Sequence, residues 1–123
     1  MMTWKAAFWA IVVALSAGAS LAGEVTIVAA KALAEGPGRY AFEVTLKHED
    51  TGWQHYADRW QVVAPDGTVL GTRELLHPHE TEQPFTRSLT GVAIPAGVNE
   101  VTIRARDSVH GDSSDTLTLK LER

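Results

Sequence analysis

Cysteine is absent from all 123 residues, and the two methionines are the first two residues of the chain. The first absence excludes disulfide cross-links and thiolate ligands. With thioether confined to the extreme N-terminus, a metal site here must be built from imidazole, carboxylate and carbonyl groups. That set suits Zn(II), Cu(II) or Ni(II) far better than Cu(I). Basic residues are also few, 11 Lys and Arg against 15 Asp and Glu. No basic stripe is visible, which argues against nucleic acid as a partner. A sustained 3.6-residue apolar period is missing too, so a helical bundle is not expected.

What is present begins with a leader. Lys5 supplies a positive start, Ala6 to Ala19 an apolar stretch of 14 residues, and Ser20-Leu21-Ala22 a small-x-small site. This is the pattern of an export signal at residues 1–22; the apolar run is short of the roughly 20 residues a spanning helix needs. Leu21-Ala22-Gly23 resembles the start of a bacterial lipoprotein cleavage box, but Glu24 stands where that box requires cysteine. The expectation is a soluble protein exported to the periplasm or the extracellular space, with no membrane span once the signal is removed. The remaining residues, 23–123, are 101 in number, enough for one domain with a two-layer core. Without Lys5 they carry ten basic and fifteen acidic residues, a net charge of -5.

From residue 24 onward the chain alternates apolar and polar residues, with turn signals every 8 to 14 residues. This predicts seven antiparallel strands, at about 24–33, 38–48, 55–64, 68–76, 84–92, 99–109 and 115–122. Gly36-Pro37-Gly38, Pro65-Asp66-Gly67 and Pro95-Ala96-Gly97 mark three tight connections at one pole. A period of two places Tyr40, Phe42, Val44 and Leu46 on one inward row. Tyr56, Trp60 and Val62 form a second, Val101, Ile103 and Ala105 a third, and Leu117, Leu119 and Leu121 a fourth. Trp60 in the third strand sits where immunoglobulin-like sandwiches bury a tryptophan. The whole region therefore resembles a seven-stranded immunoglobulin-like or fibronectin type III-like β-sandwich, without the antibody-type disulfide.

All five histidines, His48, His55, His77, His79 and His110, fall in or beside alternate connections, which in such a sandwich share the pole opposite those turns. His77-Pro78-His79 presents two imidazoles to the same side of an extended segment, and the proline disfavours helix there. This pair is the first choice of metal ligands, with His110, His55 and His48 to complete the set. His48 continues the Phe42-Val44-Leu46 row, Asp58 lies between Tyr56 and Trp60, and Asp107 continues the Val101-Ile103-Ala105 row. The adjacency of the third and sixth strands places Asp58 and Asp107 near each other, and two buried carboxylates without partners imply either that one titrates upward or that a cation, Arg87 or a metal, stands between them; Asp58, Asp107 and the loop residue Glu82 are candidate auxiliary ligands or supports. Gly71, five residues and then His77-Pro78-His79 resembles the opening of the first cupin motif. Glu82 comes too soon for the glutamate of that motif, however, and Asn99 and Glu100 occupy the place of its second-motif histidine.

These residues predict a small exported protein that is not an enzyme and that holds or delivers Cu(II) or Zn(II) at one pole of a sandwich. One alternative is an envelope interaction module gripping a protein or glycan with Trp53 and Tyr56. The other is a metal-dependent enzyme of cupin-like chemistry. No serine or cysteine nucleophile motif is present. A site shared between two copies across a two-fold axis is compatible with histidine loops at an exposed pole, and the sequence leaves the oligomeric state open.

Overall fold

Alternating residues in this chain convert into two antiparallel sheets that share one apolar core. The computed structural model describes residues 11–15 and 23–122. Its strands are β1 (Ile11–Leu15), β2 (Thr26–Gly36), β3 (Arg39–Lys47), β4 (Ala57–Val63), β5 (Val69–Glu74), β6 (Phe85–Ala93), β7 (Glu100–Asp107) and β8 (Gly111–Lys120). One sheet has the order β1-β2-β3-β6 and the other β5-β4-β7-β8. No helix occurs among the described residues.

The seven expected strands correspond to β2 to β8, and the described residues form eight strands rather than seven. The additional strand, β1, lies in the segment read as an export signal and pairs with β2 from Ile11↔Leu33 to Leu15↔Ala29. The rest of that signal, residues 1–10 and 16–22, lies outside the described residues.

Phe42, Val44, Leu46, Trp60, Val62, Val101, Ile103, Ala105, Leu117, Leu119 and Leu121 are buried in one core, joined by Val25, Ile27 and Phe85. The inward rows are those expected, with one local exception. Between β4 and β7 the register slips, with Ala57 opposite Asp107 but Arg59 opposite Arg106. This bulge places two residues against one, so Ala57 takes the inward position, Asp58 leaves it, and Tyr56, expected on the same inward row, is half-buried outside the core. Gly71 has a packing role: a Cβ there would stand 2.9 Å from Leu89 Cδ2 and 3.3 Å from Val92 Cγ2. Its missing side chain lets the edge strands β5 and β6 approach where the two sheets meet.

Residues 24–27 cross from one sheet to the other. Val25 N donates to Ser113 Oγ and Ile27 N to Asp115 Oδ2, each at 2.8 Å. Ser114 donates from both its amide and its hydroxyl to Glu24 Oε1, at 2.9 Å. The start of β2 is thereby fixed against β8, which holds Gly23 at the histidine pole.

Trp60 is fully buried at the centre of β4. Trp60→Ala is expected to lower the unfolding free energy by about 3–5 kcal/mol in urea titration; a loss under about 1 kcal/mol would contradict its central place in the core.

Candidate functional site

The histidine pole is organised by two buried carboxylates, Asp50 and Asp107. Asp50 sits in the β3–β4 loop and uses both oxygens. Oδ1 accepts from Ala57 N at 3.0 Å and lies 2.5 Å from His48 Nδ1, while Oδ2 accepts from His79 N at 2.6 Å. The loop closes on itself through Thr51 N to His55 O at 2.9 Å and His55 N to Gly52 O at 3.2 Å, with Gly52 at a positive φ of 104°.

Asp107 ends β7 with no exposed surface. Its Oδ1 accepts from the amides of Val109 at 2.8 Å and His110 at 2.7 Å, an aspartate-capped turn that leads through Gly111 into β8. Burial alone would raise this carboxyl. The His110 and Val109 amides and the His110 ring outweigh it, and the group ends below the usual carboxylate range. Ser108 locks this turn to the neighbouring loop: its amide donates to Tyr56 O at 2.9 Å, and its Oγ accepts from Tyr56 N at 3.1 Å.

Three imidazoles gather around Asp107. His48 Nε2 is 3.9 Å from Oδ2, His55 Nε2 is 3.3 Å from Oδ1, and His110 Nδ1 is 3.1 Å from Oδ1. Ring centroids of His48 and His55 are 4.8 Å apart, and those of His55 and His110 are 5.0 Å apart. One ligand atom from each of His48, His55 and Asp107 falls within a mutual separation of 4.8 Å. Ligand atoms bound tetrahedrally at about 2.0–2.1 Å stand about 3.3 Å from one another, so the widest of these separations would have to close by up to about 1.5 Å for the three to hold one ion.

Local details support that use. His55 Nε2 is buried and makes no hydrogen bond, though it faces the Asp107 carboxylate. His48 has Asp50 behind Nδ1 and the Gly23 carbonyl 3.0 Å from Nε2. Both ring nitrogens thus face oxygen acceptors, and a metal ion at Nε2 would take the place of a proton there while Asp50 fixes the ring from behind.

The remaining expected residues lie elsewhere. His77 and His79 are at the same pole, but neither joins the His48, His55 and Asp107 group. His79 stacks on Phe85 with centroids 3.9 Å apart, and its Nε2 lies 3.0 Å from Arg87 Nη2. Burial, and then the Arg87 charge, lower its pKa. His77 is exposed, with its ring centroid 6.5 Å from that of Trp53. Arg87 binds Glu82 at 3.0 Å and so does not neutralise the inner carboxylates. Asp58, expected beside Asp107, is turned away by the bulge and pairs with Arg106 at 3.1 Å; burial raises its carboxyl against the Arg106 and Arg59 charges. Trp53 is exposed and meets Tyr56 edge-on with centroids 5.5 Å apart.

Sequence reasoning passed over Asp50 and Gly23. The His48-x-Asp50 spacing carried the same same-side signal that was applied to His77-x-His79. Nothing local places Gly23 beside the histidines, because that contact depends on the crossing of residues 24–27 onto β8.

Asp50→Ala leaves His48 Nδ1 and two amides without acceptors, and is expected to cost about 3–5 kcal/mol by urea unfolding. A loss near zero would show that the loops do not depend on it. The lowered His79 pKa makes folded protein resist a proton that unfolded protein accepts. Its stability contribution is therefore complete above about pH 6.5 and is lost as pH falls through the lowered value. His79→Gln is expected to flatten the stability profile of metal-free protein below pH 6.5 relative to wild type; superimposable slopes would refute this.

No family model and no solved structure matches the chain. A protein of Halomicrobium mukohataei described as "Putative lipoprotein" is 46% identical over 81 residues, which is 66% of this chain and 39% of that relative. The matched region thus spans about two fifths of the relative's length.

Proposed function

We infer that this is an exported β-sandwich protein that binds a divalent metal ion at its histidine pole without catalysing a reaction. The observation that carries this reading is the convergence of one ligand atom from each of His48, His55 and Asp107 within 4.8 Å, with the buried His55 Nε2 making no hydrogen bond while facing Asp107 Oδ1 at 3.3 Å. Two imidazoles and a carboxylate suit Zn(II) or Cu(II), and Asp50 behind His48 is the outer carboxylate that commonly fixes a ligating imidazole. His110, beside His55 and Asp107, is the nearest further imidazole. Export is supported by the leader pattern and by the likeness to a relative described as a lipoprotein, although Glu24 replaces the lipid-bearing cysteine in this chain. No helix among the described residues is long and apolar enough to cross a membrane. The immunoglobulin-like or fibronectin type III-like reading is supported by the adjacency of β4 and β7 and by buried Trp60.

A second reading, an envelope module that grips a protein or glycan, is favoured by one observation. Trp53 is 64% exposed beside the site and is supported edge-on by Tyr56.

Zn(II) or Cu(II) at 100 times its dissociation constant is expected to stabilise the protein by about 2.7 kcal/mol, seen as a rise in Tm. His55→Ala and Asp107→Asn should abolish the rise, whereas His77→Ala should retain it. A rise that survives both His55→Ala and Asp107→Asn, or no rise in wild type, would remove the assignment.

A further inference from the structure

Gly23 touches His48 and His110 from outside the three histidine loops, and its place in the sequence gives it a second chemistry. Gly23 O lies 3.0 Å from His48 Nε2. A Cβ built on Gly23 would stand 2.8 Å from His110 Cε1 and 3.3 Å from His110 Nε2, so its backbone lies directly against that ring. The contact is anchored from the C-terminal side, since Glu24 and Val25 are bound to Ser114 and Ser113 of β8. Gly23 also follows Ser20-Leu21-Ala22, the small-x-small pattern of a leader-peptidase site.

We propose that processing after Ala22 creates a ligand of this metal site: the α-amino group of Gly23. Within the intact chain that nitrogen is an amide and a poor ligand. Hydrolysis of the Ala22–Gly23 bond adds water across it, giving the Ala22 carboxylate and a free Gly23 amine. The amine nitrogen is one bond of about 1.46 Å from a Cα already packed on His110. An amine and the carbonyl oxygen of the same residue close a five-membered chelate ring on a metal ion. This carbonyl already faces His48 Nε2.

The inference rests on the metal-binding reading above and sharpens it. Adding an amine to two imidazoles and a carboxylate makes a nitrogen-rich set, for which Cu(II) is preferred over Zn(II) among the divalent ions. Glycine is the residue that fits, because any Cβ at position 23 would press into the His110 ring. Metal loading would then await export and cleavage, and the unprocessed chain would hold only the weaker three-ligand site.

The test compares two chains, one beginning at Gly23 and one beginning at Ser20, with equal metal-free Tm as the control for folding. Full-length protein is also exported with its own leader, and its first residue is read from intact mass. Copper(II) sulfate is titrated into each chain against a competing chelator, and the Cu(II) spectra are recorded by electron paramagnetic resonance. The chain beginning at Gly23 is expected to bind Cu(II) at least about 100-fold more tightly, the gain of an added tethered ligand, and to show one more coordinated nitrogen. Affinities within about tenfold of each other overturn the proposal and leave the His48, His55 and Asp107 site standing. Exported protein that begins at another residue also overturns it. Binding by neither chain removes the metal-binding reading as well.

Discussion

A buried carboxylate must find donors, and the demands of Asp50 hold the histidine pole together. Its two oxygens face the His48 ring and the amides of Ala57 and His79, which come from three separate stretches of chain. In a low-dielectric interior such charge-assisted bonds are strong, and an unmet carboxylate is costly. The β3–β4 loop and the β5–β6 loop are therefore fixed to the same anion. Asp107 does the same for the β7–β8 turn, with the His110 and Val109 amides as its donors. The His48 ring lies between the two carboxylates, 2.5 Å from one and 3.9 Å from the other.

Electrostatics then sorts five similar side chains into different duties. His48, His55 and His110 stand around an anion, where a cation is attracted. His79 stands beside Arg87, whose positive charge opposes both protonation and a metal ion at that ring. Glu82 holds Arg87 there by accepting from its guanidinium, an interaction that also pulls the Glu82 carboxyl below the ordinary range. The loop with the densest run of ligand-type residues is thus occupied by a cation from the adjoining strand, and the better-placed imidazoles come from the β3–β4 loop, which contributes His48 and His55, and from the β7–β8 turn, which contributes His110.

The strands and the shared pole were legible because they depend on local rules. A period of two and glycine or proline at turns fix which residues face inward and which connections lie at the same end. Asp107 followed from that parity and is fully buried at the end of its row. Asp58 did not follow, because one extra residue at the Ala57–Arg59 bulge reverses the parity, and a bulge leaves little trace in a single sequence. The sorting of the histidines was also hidden, since it depends on which charges the two sheets bring beside each ring. The Gly71–His77 spacing, similar to a cupin motif, has a plainer origin in the close approach of β5 to Leu89 and Val92.

The pairing of β1 with β2 has a consequence for what this molecule shows to its neighbours. While Ile11–Leu15 stays attached, it covers the hydrogen-bonding edge of β2 from Ala29 to Leu33. A chain shortened to Gly23 exposes that row of amides and carbonyls, the kind of edge onto which strands of other molecules add. Lys31 lies in the middle of the stretch, bridged to Glu43 on the adjoining strand. A charged side chain there makes an incoming apolar strand a poor match, so the stretch of β2 that such a shortening would uncover carries its own deterrent to aggregation.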